Sequence, residues 1–283
     1  MSQEVQRLTS GHALEGPARG AFAFSGVVTL LTDFGLTDPF VGLVKVAILG
    51  RCPGARIVDL CHLLPPFSPA AGAFWLERAS RSCPPGTVHV AVVDPGVGTG
   101  RRLLAGIAAG QAFLGPDNGL LGAILTPDDP VRVIDPARYG AFGLGPPSAT
   151  FHGRDVLGPL AGELAAGRLA LADLGPPAGT WVPSPVPRPV ERAGRWEGAV
   201  ILVDHYGNAF TNLPSELLAG RPAAALSVAG RRVPVVGTYG EAVPGTAVAV
   251  ANSFGVLEIA IVTGDAGREL GLVPGTPVGL EPG

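Results

Sequence analysis

The sequence predicts an N-terminal α/β domain with a largely parallel central sheet flanked by helices, followed by a smaller all-β, barrel-like domain. Three observations lead there. Short β-branched apolar runs alternate with segments of helical spacing as far as residue 166. A proline-dense stretch, GPPAGTWVPSPVPRPVERAGR, follows Leu174. Beyond Gly198 the apolar runs are separated only by closely spaced glycine-rich turns.

Taken in order, residues 1–25 read as a loose leader, mixed in charge and lacking the continuous apolar core of a secretory signal. The apolar run 27–32 ends at Asp33-Phe34-Gly35 and reads as a buried strand, after which 39–49 shows helical spacing. Strands follow at 56–60, 88–93 and 103–109, with a helix over about 68–83 and a closing helix over about 156–166. The substrate-binding and catalytic domain is accordingly expected at 26–180. In 181–196 the prolines withhold the donors that continuous helix or sheet requires, which marks a linker. The β domain, 197–283, takes strands at 199–203, 224–228, 232–236, 247–251 and 257–262.

Composition narrows the function classes. With 47% hydrophobic and 15% charged residues, the 283-residue chain has ample apolar surface to bury. A net charge of -3 and a pI near 5.9 give no basic field for a nucleic-acid backbone. Mean hydropathy is +0.36, yet Gly, Pro or a polar residue interrupts every apolar run short of the roughly 18 residues of a membrane span. Cys52, Cys61 and Cys83 are odd in number and form no CxxC pair, so neither a disulfide framework nor a thiolate zinc site is expected, in keeping with a reducing cytoplasm. Lys45 is the only lysine and prolines number 29, a balance that a GC-rich genome and selection for heat resistance would both produce.

The chemistry-bearing residues sit in loops. Asp33 and Asp38 follow the first predicted strand, where open α/β sheets bind ligands and where one carboxylate can accept from both hydroxyls of a ribose. The alternative is capping of the next helix, above all for Asp38 beside Pro39. Asp94 and Arg101 bracket the turn VVDPGVGTGRR, placed to meet as a charge-assisted pair, either at a ligand or as a structural bridge. That loop lacks the Lys-Ser/Thr ending of a phosphate cradle. His152, in ATFHGRD, can titrate near neutrality and exchange a proton with water. A metal set of Asp33, Asp94 and His152 is a further reading, without the tight spacing of known motifs. In DHYGNAFTN, Tyr206, Asn208 and Asn212 fall in a turn, where an aromatic ring can stack on a purine and an amide can pair with its edge.

Together the motifs LLTDFGLTDPFVG, DPGVGTGR, GPDNG, TFHGRD, DHYGNAFTN and NSFGVLEIA, spread over about 27–274, resemble the S-adenosyl-L-methionine (SAM) hydroxide adenosyltransferase family, relatives of fluorinase and chlorinase. The resemblance implies hydrolysis of SAM at ribose C5′ to adenosine and L-methionine, with an Asp, Arg and His triad on Asp94, Arg101 and His152. It puts the ribose on Asp33, an aromatic wall on Phe67, adenine on Asn208 with stacking by Tyr206, and the methionine end on Ser253. It also implies a homotrimer, each site shared between one subunit's large domain and a neighbour's β domain; the hydrolysis itself, with a neutral thioether leaving, is expected to require neither a metal nor a cofactor beyond the substrate.

Two departures bear on the nucleophile. Fluorinase-like members carry an aromatic residue at the position of Asp94 and a Ser at that of Gly153, so halide use is disfavoured here. A chlorinase-like halide transferase and a non-catalytic adenosyl-ligand sensor remain the alternatives. The first predicts halogenated adenosine when chloride is supplied, and the second predicts a damaged triad.

Overall fold

The computed structural model describes residues 23–221 and 224–281. The expected leader therefore lies outside the described residues except for 23–25. The chain divides into two compact units, Met1–Pro185 and Val186–Gly283.

In the first unit the chain runs β1 (Val27–Thr32), α1 (Phe40–Arg51), β2 (Arg56–Cys61), α2 (Pro69–Ser80), β3 (Val88–Val92), β4 (Leu103–Ala108), β5 (Gln111–Pro116), β6 (Val131–Val133) and α3 (Gly158–Ala165). The sheet order is β2-β1-β3-β5-β4-β6. β2, β1, β3 and β5 are mutually parallel, and β4 runs antiparallel to both β5 and β6. Alternate residues of β1 serve opposite faces, as a central strand requires. Val28 and Leu30 join Val44 and Ile48 of α1 and Leu160 and Leu164 of α3, while Leu31 joins Leu76 of α2. Gly162 lets α1 and α3 close up, since a Cβ there would lie 2.7 Å from the Ile48 carbonyl oxygen.

β5 and β6 were not expected from the sequence. β5 has only Ala112, Phe113 and Leu114 as an apolar run, and it exists because Ala109 and Gly110, both at positive φ, turn the chain back along β4. β6 is three residues long and is held by pairing with β4, a non-local contact. The closing helix begins differently from expectation, with a π-helical turn over Gly153–Leu157 directly after His152. Such turns widen the helix and recur at functional sites. Asp38 does not cap α1: Pro39 holds the N-cap position and makes no side-chain cap bond.

The second unit is a barrel. Its strands are β7 (Val190–Arg192), β8 (Arg195–Val203), β9 (Ala209–Pro214), β10 (Ala225–Val228), β11 (Arg231–Val236), β12 (Ala247–Ala251), β13 (Val256–Ile261) and β14 (Pro277–Glu281). The order β14-β10-β11-β12-β13-β9-β8 closes through β14–β8 pairing, and β7 adds to β8 as a hairpin arm. Trp196, Leu213, Leu226, Leu257, Ile259 and Leu280 are among the side chains of its core.

Three strands depart from the sequence reading. β7 lies inside the stretch read as linker, paired across Ala193-Gly194. β14 closes the barrel at a segment given no strand, and β9 begins inside the segment read as a turn. Asn212 is thus a buried strand residue: its Oδ1 accepts from the Ala199 amide at 2.7 Å and its Nδ2 donates to the Pro187 carbonyl at 2.8 Å. Polar residues broke the apolar alternation that would have revealed β9, yet each is satisfied in place. Among the described residues no helix is long and apolar enough to cross a membrane.

Candidate active site

β1 and β3 are parallel neighbours with Thr32 opposite Val92. Asp33, the next residue after β1, and Asp94, two beyond β3, therefore leave the sheet side by side at its carboxyl edge, where folds of this class bind ligands. Asn118, from GPDNG, donates to the Val93 carbonyl at 2.8 Å and fixes the strand end just before Asp94.

From there the glycine-rich loop returns Arg101 onto Asp94. Arg101 Nε lies 3.0 and 2.9 Å from the two carboxylate oxygens, and Nη2 also reaches Oδ2. The side chains of Asp94 and Arg101 are only 5% and 11% exposed, so the pair is shielded from bulk water. Nη2 also lies 2.9 Å from His152 Nδ1, which completes an Asp94, Arg101, His152 chain.

Two packing features bring the His152 loop into reach. Gly98 adopts φ +78° where the loop touches the Ala149 carbonyl, and a Cβ there would lie 2.3 Å from that oxygen. Phe151 packs edge-to-face on Phe34 and Phe40, with centroids at 5.8 and 5.5 Å, tying the His152 and Asp33 loops together. Behind them Asp155 accepts from the Ser148 amide and hydroxyl at 2.9 and 2.7 Å and pairs with Arg154. Partial burial of Asp155 is outweighed by the Arg154 and Ser148 hydrogen bonds, which hold its carboxyl down to about 2. The His152 imidazole is shifted below the ordinary value, first by burial and then by the Arg101 charge, against the opposing pull of Asp94 and Asp155.

Asp33 Oδ2 accepts from the Phe67 amide at 2.9 Å. Phe67 is 75% exposed and sits at φ +62°, a left-handed conformation costly for an aromatic residue. The carboxylate thus anchors a strained, solvent-facing ring. The loop also rests on a residue that sequence reasoning missed. Buried His62 joins Thr32 Oγ1 at 2.8 Å and Asp59 at 3.0 Å, and its carbonyl accepts from the Gly35 amide at 2.8 Å. No spacing in the sequence announces this contact. Among the described residues no group of three or more His, Cys, Asp or Glu is arranged to hold a metal, and the guanidinium cation stands between Asp94 and His152.

In the second unit, Tyr206 and Asn208 share the turn after β8. Asp204, also missed, accepts from both their amides, at 2.9 and 2.8 Å. Gly207 is required there, because at φ +84° a Cβ would lie 2.2 Å from Asp265 Oδ1. Tyr206 is 75% exposed and half-buried Asn208 follows it. Ser253 is exposed at the turn between β12 and β13.

Comparison with known proteins places these features in a family. Residues 28–175 match the SAM hydroxide adenosyltransferase N-terminal domain, and 198–279 match the C-terminal domain. The chain belongs to the SAM hydroxide adenosyltransferase family. Within it, the chain is 41% identical over 259 residues to the (R)-S-adenosyl-L-methionine hydrolase of Thermus thermophilus, covering 89% of this chain and 98% of that one. It is 27% identical over 225 residues to the fluorinase of an Actinoplanes species, covering 70% and 73%. A solved structure of a conserved protein from Thermotoga maritima superposes with a TM-score of 0.81 at 31% identity, covering 89% of this chain and 99% of that one. For this SAM hydroxide adenosyltransferase family member, the matched segments include every loop described above.

Proposed function

We propose that this chain hydrolyses SAM at ribose C5′, and that the observation carrying the reading is the contact of Asp94, Arg101 and His152 at the carboxyl edge of the sheet. The water oxygen forms a bond to C5′ as the C5′–S bond breaks. Its electron pair returns to sulfur, converting the sulfonium to the neutral thioether of L-methionine, so departure needs no general acid. The water proton passes to the protein, leaving adenosine with the new 5′-hydroxyl.

The demand falls on the nucleophile, which must be held in line behind C5′ and partly deprotonated. Arg101 supplies positive charge to the developing hydroxide. Its donation to His152 Nδ1 leaves the imidazole as a donor through Nε2, able to orient the water oxygen. The carboxylate of Asp94 is then the group left to take the proton. Asp33 and Phe67 serve the ribose, Tyr206 and Asn208 the adenine, and Ser253 the methionine end. Asp33, Phe67 and the reacting groups belong to the first unit, and Tyr206, Asn208 and Ser253 to the second. The reaction calls for neither a metal nor a redox cofactor.

We assign a homotrimer as the working assembly. Exposed Leu43, Val46 and Leu49 on α1 supply apolar surface for a second copy. The cytoplasm suits the three free cysteines, Cys52, Cys61 and Cys83.

Turnover of SAM in ¹⁸O-water tests the reading. Mass analysis should find one solvent oxygen in adenosine, in chloride and chloride-free buffer alike. Halogenated adenosine, or binding without turnover, would overturn it.

A further inference from the structure

Glu258 on β13 is 2% exposed. A carboxylate so buried is costly unless its oxygens are satisfied, and here both accept from neutral donors. One takes the hydroxyl of Tyr239, and the other takes Asn252 Nδ2 at 2.8 Å. Asn252 in turn builds the β12–β13 turn. Its Oδ1 accepts from the Phe254 and Val256 amides at 3.0 and 3.3 Å, and its main chain pairs with Val256 and Gly255. Ser253 is exposed on this turn, beside Phe254.

The direction of these bonds is set by elimination. The turn amides can only donate, so Asn252 must face them with oxygen and face Glu258 with NH2. Glu258 must then accept, which an acid-free, amide-free apolar residue could not do. A buried acceptor thereby decides which way an amide points in the turn carrying Ser253. Tyr239 is 41% exposed and extends the same chain to the surface.

We propose that Glu258 is a positioning residue for the methionine end of the substrate, acting through Asn252 to hold the Ser253 turn in its binding shape. The inference rests on the reading of Ser253 given above. It adds a requirement that nothing about Ser253 alone contains: hydrogen-bond polarity between positions 252 and 258 must be complementary, whichever of the two carries the charge.

That requirement is testable by exchange. Asn252→Asp sets two carboxylates against each other, whereas adding Glu258→Gln to it restores a donor facing an acceptor with the charge moved across the contact. Full-length wild type, N252D and N252D/E258Q are titrated calorimetrically with L-methionine and, separately, with adenosine, and KM and kcat for SAM are measured alongside. N252D should weaken L-methionine binding and raise KM by about tenfold or more, the size of a lost charged hydrogen bond, with adenosine affinity within about twofold of wild type. The double variant should return both values to near wild type. If N252D fails to fold, Glu258→Leu, which leaves Asn252 Nδ2 without its acceptor, is titrated in its place, with the same expected loss of L-methionine affinity and unchanged adenosine affinity. A double variant that stays defective or unfolded, an N252D protein with unchanged L-methionine affinity, or a wild type that does not bind L-methionine would overturn the proposal. Wild type that binds both products but does not turn over SAM would sink the hydrolase reading and leave the exchange comparison intact.

Discussion

Arg101 Nη2 lies 2.9 Å from His152 Nδ1. A guanidinium has donors only, so Nδ1 must be the unprotonated nitrogen and the neutral imidazole carries its hydrogen on Nε2. The same cation holds Asp94 through Nε and Nη2. One residue therefore sets the protonation state of a second and the orientation of a third.

Activity should depend on this fork and not on charge alone. Arg101→Lys keeps the cation but cannot reach both carboxylate oxygens and Nδ1 together. We expect kcat for adenosine release to fall by about 10²-fold or more in R101K and in Asp94→Asn, with KM for SAM changed far less. Chromatography of adenosine under saturating SAM reads this directly, and wild-type turnover in both variants would show that the triad is not the catalytic unit.

The pH profile carries a sign. Burial and Arg101 hold the His152 pKa below its ordinary value of 6.5, so the imidazole is neutral at pH 7. Protonation at lower pH would place an N–H against the guanidinium. The fall of kcat/KM on the acid side should therefore begin at a lower pH than an ordinary histidine would give. His152→Gln should lower the plateau and erase the histidine contribution to the acid limb. An unshifted limb in that variant would assign it to another group.

A second histidine governs stability. His89 is fully buried and stacked on Phe113, with Thr29 Oγ1 at 2.6 Å from Nδ1 and Gln111 Oε1 at 2.7 Å from Nε2. Burial lowers its pKa to about 4, against the Gln111 hydrogen bond, which acts to raise it. Between 6.5 and about 4 the unfolded chain binds a proton that the native protein does not, so stability falls as pH falls through that window. The loss should approach about 3 kcal/mol at the acid end. Urea unfolding at several pH values measures it, and His89→Gln should flatten the slope.

Gly98→Ala tests how the two catalytic loops meet. The added Cβ would strike the Ala149 carbonyl at 2.3 Å on a backbone at φ +78°, so the loops must part. We expect a cost of at least about 1–2 kcal/mol for the conformation, seen as a lower melting temperature, together with loss of activity. Gly100→Ala, which meets nothing within 4 Å, is the control.

Much of the fold was legible because its signals are local. The span of β1 and that of β12 follow from apolar runs bounded by turn residues, and Ser68 caps α2 with its hydroxyl accepting from the Ala71 amide at 3.3 Å. β5, β6, β7, β9 and β14 were not legible. β5 and β7 hang on the two-residue turns Ala109-Gly110 and Ala193-Gly194, whereas β6, β9 and β14 are short or polar and persist through distant partners, as when the Leu257 carbonyl accepts the Thr211 hydroxyl of β9 at 2.6 Å.

The amino-acid sequence alone determined which loops carry acid, guanidinium and imidazole, and which turns carry the aromatic ring and amides, because these are properties of residue type and spacing. Only the tertiary structure decided that Arg101 bridges Asp94 and His152, that His62 supports the Asp33 loop, and that Glu258 orients Asn252. Arg101 and His152 are 51 positions apart and meet at the edge of a sheet whose order is β2-β1-β3-β5-β4-β6, while Asn252 and Glu258 meet through the pairing of β12 with β13. No local rule encodes a distance that depends on where non-adjacent strands come to lie.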